Sequence, residues 1–271
     1  MRLFFLGTAA AEGYPGIFCN CENCNEARTL GGKNLRFRSA MLVNDDLLID
    51  FGPDLMAAAQ RFNRNLARVT VGLVTHAHGD HFDTFNFHMR RDAFTGGLEI
   101  PIMRVFGPQE VTDTLEGMDG DLSQMRIETQ TVHAGDRWQY GGYTFTAYHA
   151  YHAVGKLETV FYSVEDGEHS CLYATDTGPF PEETWQALAG KSFDVVILEE
   201  TLGVGNYAQH QSFESFVEHA DRLRAEGILH PSGRLIAHHM SHSGNPTHEK
   251  VEAVLSPYGV EVAYDGMDVH L

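Results

Sequence analysis

The stretch Val71-Gly72-Leu73-Val74-Thr75-His76-Ala77-His78-Gly79-Asp80-His81 does most to constrain what this chain can fold into. An apolar, strand-like run ends abruptly in three histidines and an aspartate within six residues. A buried strand that stops in a tight polar turn presents several side chains on one side of a sheet edge. His and Asp are good ligands for borderline divalent ions such as Zn²⁺, Mn²⁺ and Fe²⁺. The stretch therefore predicts a metal site at the end of a central strand.

The rest of the chain reads as a β-rich α/β protein. Strands are expected over residues 1–7, near 40–43 and near 47–51, the last two joined by the turn Asn44-Asp45-Asp46. Pro53 suits the first turn of a helix reaching Arg64. Phe82, Phe85 and Met89 fall at helical spacing, which predicts a helix over 80–91 with Asp80 and His81 at its N-terminal end. A strand over 100–106 and a helix after Gly107-Pro108 follow. Short strands are expected near 126–132, 136–140, 143–149, 159–165 and 170–174, then a helix near 181–189 and a buried strand at 195–198. A helix near 212–226, a strand at 234–237, a helix at 247–256 and a strand pair over 260–270 complete the pattern. Strands followed by a helix recur, so the pattern predicts two similar halves, each a sheet with helices on its outer face, packed as a sandwich. No linker separates them, and residues 1–271 are expected to form one domain.

A second metal signal lies near the N-terminus. Cys19-Asn20-Cys21-Glu22-Asn23-Cys24 places three thiols within six residues, and Cys171 stands alone. In a reducing compartment such clustering favours metal over a disulfide. Three thiolates are one ligand short of a closed tetrahedral zinc site. The net charge of −18 argues against nucleic acid as the main partner. It leaves open how an anionic substrate would be attracted, unless bound cations supply local positive charge. The N-terminal apolar run is too short for a signal h-region and no run has the length of a membrane span, so the expectation is a cytoplasmic protein without a membrane partner.

His76-Ala77-His78-Gly79-Asp80-His81 matches the HxHxDH motif, and the chain resembles the metallo-β-lactamase fold superfamily on those residues. The resemblance implies a four-layer αββα sandwich with a two-metal centre at one sheet edge. Its further ligands would stand downstream, each at a strand end. A histidine after the strand near 143–149 would be one; His149 and His152 are both available, and extending the strand to the length usual in the superfamily favours His152. Asp176, in Thr175-Asp176-Thr177-Gly178, resembles the bridging aspartate, and His239 resembles the last active-site histidine. His76, His78 and His152 would then hold one ion, and Asp80, His81 and His239 the other. Asp176 and a hydroxide would bridge them, the ions being Mn²⁺ or Zn²⁺. Asp50 would brace the His loop, and His210, ahead of Ser212-Phe213-Glu214, resembles the general acid.

The cysteine loop is similar to that of the phosphoribosyl cyclic phosphate phosphodiesterases of phosphonate degradation, a branch of the superfamily. There a histidine shortly after the last active-site histidine completes a structural zinc, and its counterpart here is His242, alongside Cys19, Cys21 and Cys24. The expected activity is metal-dependent hydrolysis of a small phosphodiester such as a cyclic phosphate, with Asp80 and His210 as catalytic residues. A transfer-RNA 3′ processing nuclease and a pyrroloquinoline quinone biosynthesis-type protein are the alternatives within the superfamily. The implied partner is a small-molecule phosphodiester, and a homodimer is left open. The chain departs from the branch at Asp83-Thr84-Phe85-Asn86, at Glu199-Glu200 where relatives often carry a single Asp, and in insertions around Arg90–Gly97 and Gly117–Leu122. These departures bear on substrate identity and leave the metal ligands intact.

Overall fold

Fourteen strands form two seven-stranded sheets in the computed structural model, which describes all 271 residues. Strands β1 (Arg2–Gly7), β2 (Ala40–Val43), β3 (Leu47–Ile49), β4 (Val71–Leu73), β5 (Met103–Gly107) and β6 (Ile127–Thr131) build the first sheet, and β14 (Asp268–His270) closes its edge beside β1. The second sheet runs β7 (Arg137–Tyr140), β8 (Tyr143–His149), β9 (Val160–Glu165), β10 (Ser170–Ala174), β11 (Phe193–Glu199), β12 (Leu229–His238) and β13 (Val260–Val262). Each sheet is antiparallel on one side and parallel on the other: β3 to β6 and β10 to β13 are the parallel runs. The repeated order bears out two similar halves.

Three apolar layers hold the sheets and helices together. Phe5, Ile49 and Leu73 of the first sheet meet Phe145, Tyr162, Tyr173 and Ile197 of the second in one buried cluster between the sheets. Helix α1 (Glu22–Leu30) follows β1; on the outer face of the first sheet, Leu42, Leu48 and Val105 pack against α2 (Leu55–Arg61), α3 (Phe85–His88) and α5 (Gln109–Glu116). On the outer face of the second, Leu172, Val196 and Leu235 pack against α6 (Glu182–Leu188), α7 (Phe213–Ala225) and α8 (His248–Leu255). The result is the expected αββα order of layers. Truncating a residue of the middle layer such as Ile197 to Ala would cost about 2–5 kcal/mol.

Three expected elements differ. The helix over 80–91 exists only as the single turn α3, followed by a second short turn, α4 (Asp92–Thr95). Phe82 and Phe87 are buried, whereas Phe85 is exposed, so the apolar residues that pack are not those at the expected spacing. Residues 80–84 are instead fixed as a turn: Phe51 N–H donates to His81 O, Asp83 N–H donates to Phe51 O, and Asp83 Oδ1 accepts from Phe85 N–H. The tail is not a strand pair. β13 joins the second sheet and β14 the first, so the chain crosses between sheets at Ala263–Met267. The Pro53 helix is shorter than expected, starting at Leu55 and ending at Arg61. No helix is long and apolar enough to cross a membrane.

The carboxyl ends of β3, β4, β10, β11 and β12 gather at one edge of the two sheets, the position where open α/β sheets place ligands. Asp50, the His76–His81 loop, Asp176, Glu199 and His239 lie at or just beyond these ends. Gly52 lets the His loop approach: a Cβ there would stand 2.1 Å from Asp80 O.

Candidate metal centre

Just beyond three of these strands, β3, β10 and β12, stands a residue held in a left-handed conformation. Asp50, Asp176 and His239 have φ of 63°, 54° and 63°. Such backbone strain costs on the order of 1–3 kcal/mol and persists where the surroundings over-determine it. Here it turns Asp176 and His239 into one buried pocket of polar atoms and sets Asp50 behind it.

Three donor groups that share Asp176 converge there, the third joining it to Glu199, His210 and His239. In the first, His76 Nε2 and His152 Nε2 lie 2.9 and 3.1 Å from His78 Nδ1, and His76 Nε2 is 3.1 Å from Asp176 Oδ2. In the second, His81 Nε2 lies 3.2 Å from both Asp80 Oδ2 and Asp176 Oδ2, and His239 completes the group. His152 is therefore the histidine brought to the cluster. His149 points away and pairs with Glu183 at 3.0 Å on the surface.

The tautomers are set from behind. The Thr75 hydroxyl donates to Asp50, which leaves its oxygen to accept from His76 Nδ1 at 3.0 Å. Asp50, wholly buried, takes His81 Nδ1 at 2.7 Å and the Thr75 N–H at 2.9 Å. Thr201 Oγ1 donates to the His239 carbonyl and so accepts from His239 Nδ1 at 2.9 Å. With Nδ1 of His76, His81 and His239 engaged as donors, their Nε2 lone pairs face the pocket, which is how outer residues orient metal-binding imidazoles.

That arrangement fits a divalent cation. The Nε2 atoms of His81 and His239 and Asp176 Oδ1 are buried without a hydrogen-bond partner. Lone pairs facing carboxylate oxygens at 3.1–3.2 Å repel unless a proton or a cation stands between them. Burial depresses the imidazoles of His239 to about 3 and of His152 to about 4, so both are neutral and free to ligate. Burial lowers His81 too, but the carboxylates of Asp80 and Asp50 prevail and draw it well above its usual range. A proton on His81 and a divalent cation are thus competing ways of satisfying one ring of acceptors.

His210 flanks the cluster. Its Nδ1 lies 2.8 Å from Glu199 Oε1, and its ring centroid is 5.0 Å from that of His152. Burial opposes the imidazolium, but the Glu199 carboxylate outweighs it and raises His210 to about 9. Glu199 is wholly buried and also accepts from Gln211 N–H. In the sequence Glu199 stands out only as a departure from relatives, and its one signal is a carboxylate at a strand end with a histidine eleven residues on. Thr75 and Thr201 carried no signal at all.

The cysteine loop forms a separate group. Cys19 Sγ and Cys21 Sγ each lie 3.7 Å from His242 Nδ1, and Cys24 stands within reach of all three. Backbone N–H groups of Gly16, Cys21 and Cys24 donate to the three sulfurs. Burial opposes ionisation at Cys21, but the Cys24 amide and the neighbouring side chains bring it down to about 7, whereas burial pushes Cys24 up to about 12. Four soft and borderline donors in one closed group suit a tetrahedral zinc ion. Gly16 is required beside it, since a Cβ there would meet His242 Nε2 at 2.8 Å. Ser241 bonds Glu12, whose carboxylate stands 3.7 Å from His242 Nε2.

Residues 46–240 match the β-lactamase superfamily domain. Among solved structures, the chain is similar over its full length to a diphosphatase of the PhnP family, with a TM-score of 0.78, 22% identity and 97% of that chain covered. It is similar over its full length to Zn²⁺-bound PqqB from Methylobacterium extorquens, with a TM-score of 0.76, 18% identity and all of that chain covered. The short form of human tRNase Z aligns over the full chain and 99% of its own, with a TM-score of 0.66 and 17% identity. No curated protein matches.

Proposed function

The chain belongs to the β-lactamase superfamily domain family, and from that premise we propose that it is a metal-dependent hydrolase of small phosphodiesters. The observation that carries the reading is Asp176, one buried carboxylate common to two groups of inward-facing imidazoles. His76, His78 and His152 with Asp176 would hold one divalent cation, and Asp80, His81 and His239 with Asp176 a second, Mn²⁺ or Zn²⁺ in each. Bound, such a pair supplies neutralisation of the phosphate and acidity to water at neutral pH. Cys19, Cys21, Cys24 and His242 would hold a structural zinc, tying the N-terminal loop to the segment that carries His239.

The chain's own residues supply the remaining steps. Asp50, Thr75 and Thr201 fix the imidazole orientations. Asp80 places its carboxylate against His81 at the cluster. Glu199 holds the proton-bearing Nδ1 of His210 and keeps the ring charged, so that Nε2 delivers a proton to the leaving oxygen as the P–O bond breaks. Two of the similar structures, by name a diphosphatase and a tRNase, support chemistry at phosphorus. The net charge of −18 counts against a long nucleic acid as the substrate. The likeness to PqqB supports a second reading, a pyrroloquinoline quinone biosynthesis-type protein without phosphodiester turnover.

The test is a panel of linear and cyclic phosphodiesters, bis-(p-nitrophenyl) phosphate among them, offered to the Mn²⁺-loaded protein. Turnover that is lost in Asp80→Ala supports the reading. A fully loaded protein that hydrolyses no member favours the second.

A further inference from the structure

A cavity of about 580 Å³ opens beside His210, between the loop after β11 and the start of α7. Its wall carries the rings of Tyr207 and Phe213, the exposed side chain of Val204, and the carboxylates of Glu214 and Glu218. No lysine or arginine lines it. The nearest arginine on α7, Arg222, is turned to Glu226 and Glu182 and stacked over Trp185. The two carboxylates therefore have no side-chain cation.

The helix start does not offset this. Phe213 N–H donates to Gly203 O, and Ser212 and Ser215 cap each other. The amides that would receive an anion are mostly spent within the protein, and Glu214 itself occupies the first turn. The pocket disfavours a second phosphate. The phosphate-rich phosphoribosyl ligand implied by the cysteine-loop resemblance does not suit it. Acidic and aromatic side chains lining one cavity instead suit an ammonium group, which gains from charge and from the ring quadrupole together.

We propose that this cavity receives the leaving alcohol of the substrate, and that this alcohol carries an ammonium group. The inference rests on the phosphodiesterase reading of the metal centre. His210 stands at the boundary: its ring is 5.0 Å from His152 on the cluster side and 5.9 Å from Tyr207 on the cavity side. Hydrolysis places the oxygen of water on phosphorus and the His210 proton on the leaving oxygen, which the cavity then holds as the ammonium alcohol. A diester of this kind is a zwitterion. It bears one positive charge against the single negative charge of the phosphate, so a chain of net charge −18 does not repel it as a whole.

Binding alone tests the proposal, without turnover. Choline and its neutral isostere 3,3-dimethyl-1-butanol are titrated calorimetrically into the full, Mn²⁺-loaded chain. Choline is expected to bind at least about tenfold more tightly. Tyr207→Ala and the double variant Glu214→Gln/Glu218→Gln, all at exposed positions, are each expected to remove most of that preference. Equal binding, tighter binding of the alcohol, no binding by either, or a preference that survives both variants overturns the proposal. Hydrolysis of bis-(p-nitrophenyl) phosphate reports separately on the metal-centre reading, so the two failures are distinguishable.

Discussion

His81 Nδ1 lies 2.7 Å from Asp50 Oδ2, and both side chains are wholly buried. The contact joins the end of β3 to the loop after β4 and turns His81 Nε2 towards Asp80 and Asp176. Asp50 thus acts on the metal pocket without entering it. Asp50→Ala is expected to lower the affinity of that half of the centre for Mn²⁺ or Zn²⁺ by roughly 10–100-fold. Competition with a chelator of known affinity measures it, and an unchanged affinity would remove Asp50 from the account.

His210→Ala should reduce turnover of alkyl diesters by about 10²–10⁴-fold and of p-nitrophenyl diesters far less, because only the poor leaving group needs the proton. Equal losses would leave His210 as a binding residue. Glu199→Gln should act through the same ring. The activity that requires protonated His210 falls as pH rises through its pKa, and Glu199 is what raises that pKa. The alkaline limb of kcat should therefore move to lower pH in Glu199→Gln; an unmoved limb contradicts the pairing.

The parts of this site that lie close together in sequence were legible there. His76 to His81 is a single loop, and Cys19 to Cys24 a single turn and helix start. Asp176, His239 and His152, which lie one to three residues past the ends of their strands, were legible through resemblance, since nothing local marks them beyond an apolar run. What could not be read is what depends on tertiary contact. The left-handed backbone at Asp50, Asp176 and His239 exists because neighbouring strands hold it. Glu199 gains its role from a histidine that folds back onto it. The expected helix over 80–91 fails because Phe51 claims the His81 and Asp83 backbone. The tail reads as two strands, but their partners lie in different sheets.

His242→Ala is expected to act mainly on stability. Loss of the zinc tie between the N-terminal loop and the segment after β12 should lower Tm; a loss of about 2 kcal/mol corresponds to roughly 4–8 °C for a chain of this size. Thermal unfolding with and without a strong chelator checks this. The variant should have lost the chelator sensitivity that the parent shows, and a variant as stable and as sensitive as the parent contradicts a zinc at this position.

Glu200 is wholly buried, with Oε1 accepting from Gly203 N–H and Oε2 unpartnered. Burial drives its carboxyl well above the usual range, so the folded chain holds this proton more tightly than the unfolded chain does. That contribution to stability is fully present below about pH 4 and is lost as pH rises from there towards the folded value. Glu200→Gln, which keeps the acceptor for Gly203, should flatten the decline. Denaturant midpoints for both proteins across that range test it, and parallel curves would contradict a neutral Glu200.

Metal content tests the central claim most directly. Protein purified with Mn²⁺ and Zn²⁺ available should hold about three ions per chain, one of them zinc that survives mild chelation. Asp176→Ala should retain that zinc and lose the other two. One ion or none in the parent protein, or a full complement in Asp176→Ala, would contradict a two-metal centre organised on Asp176.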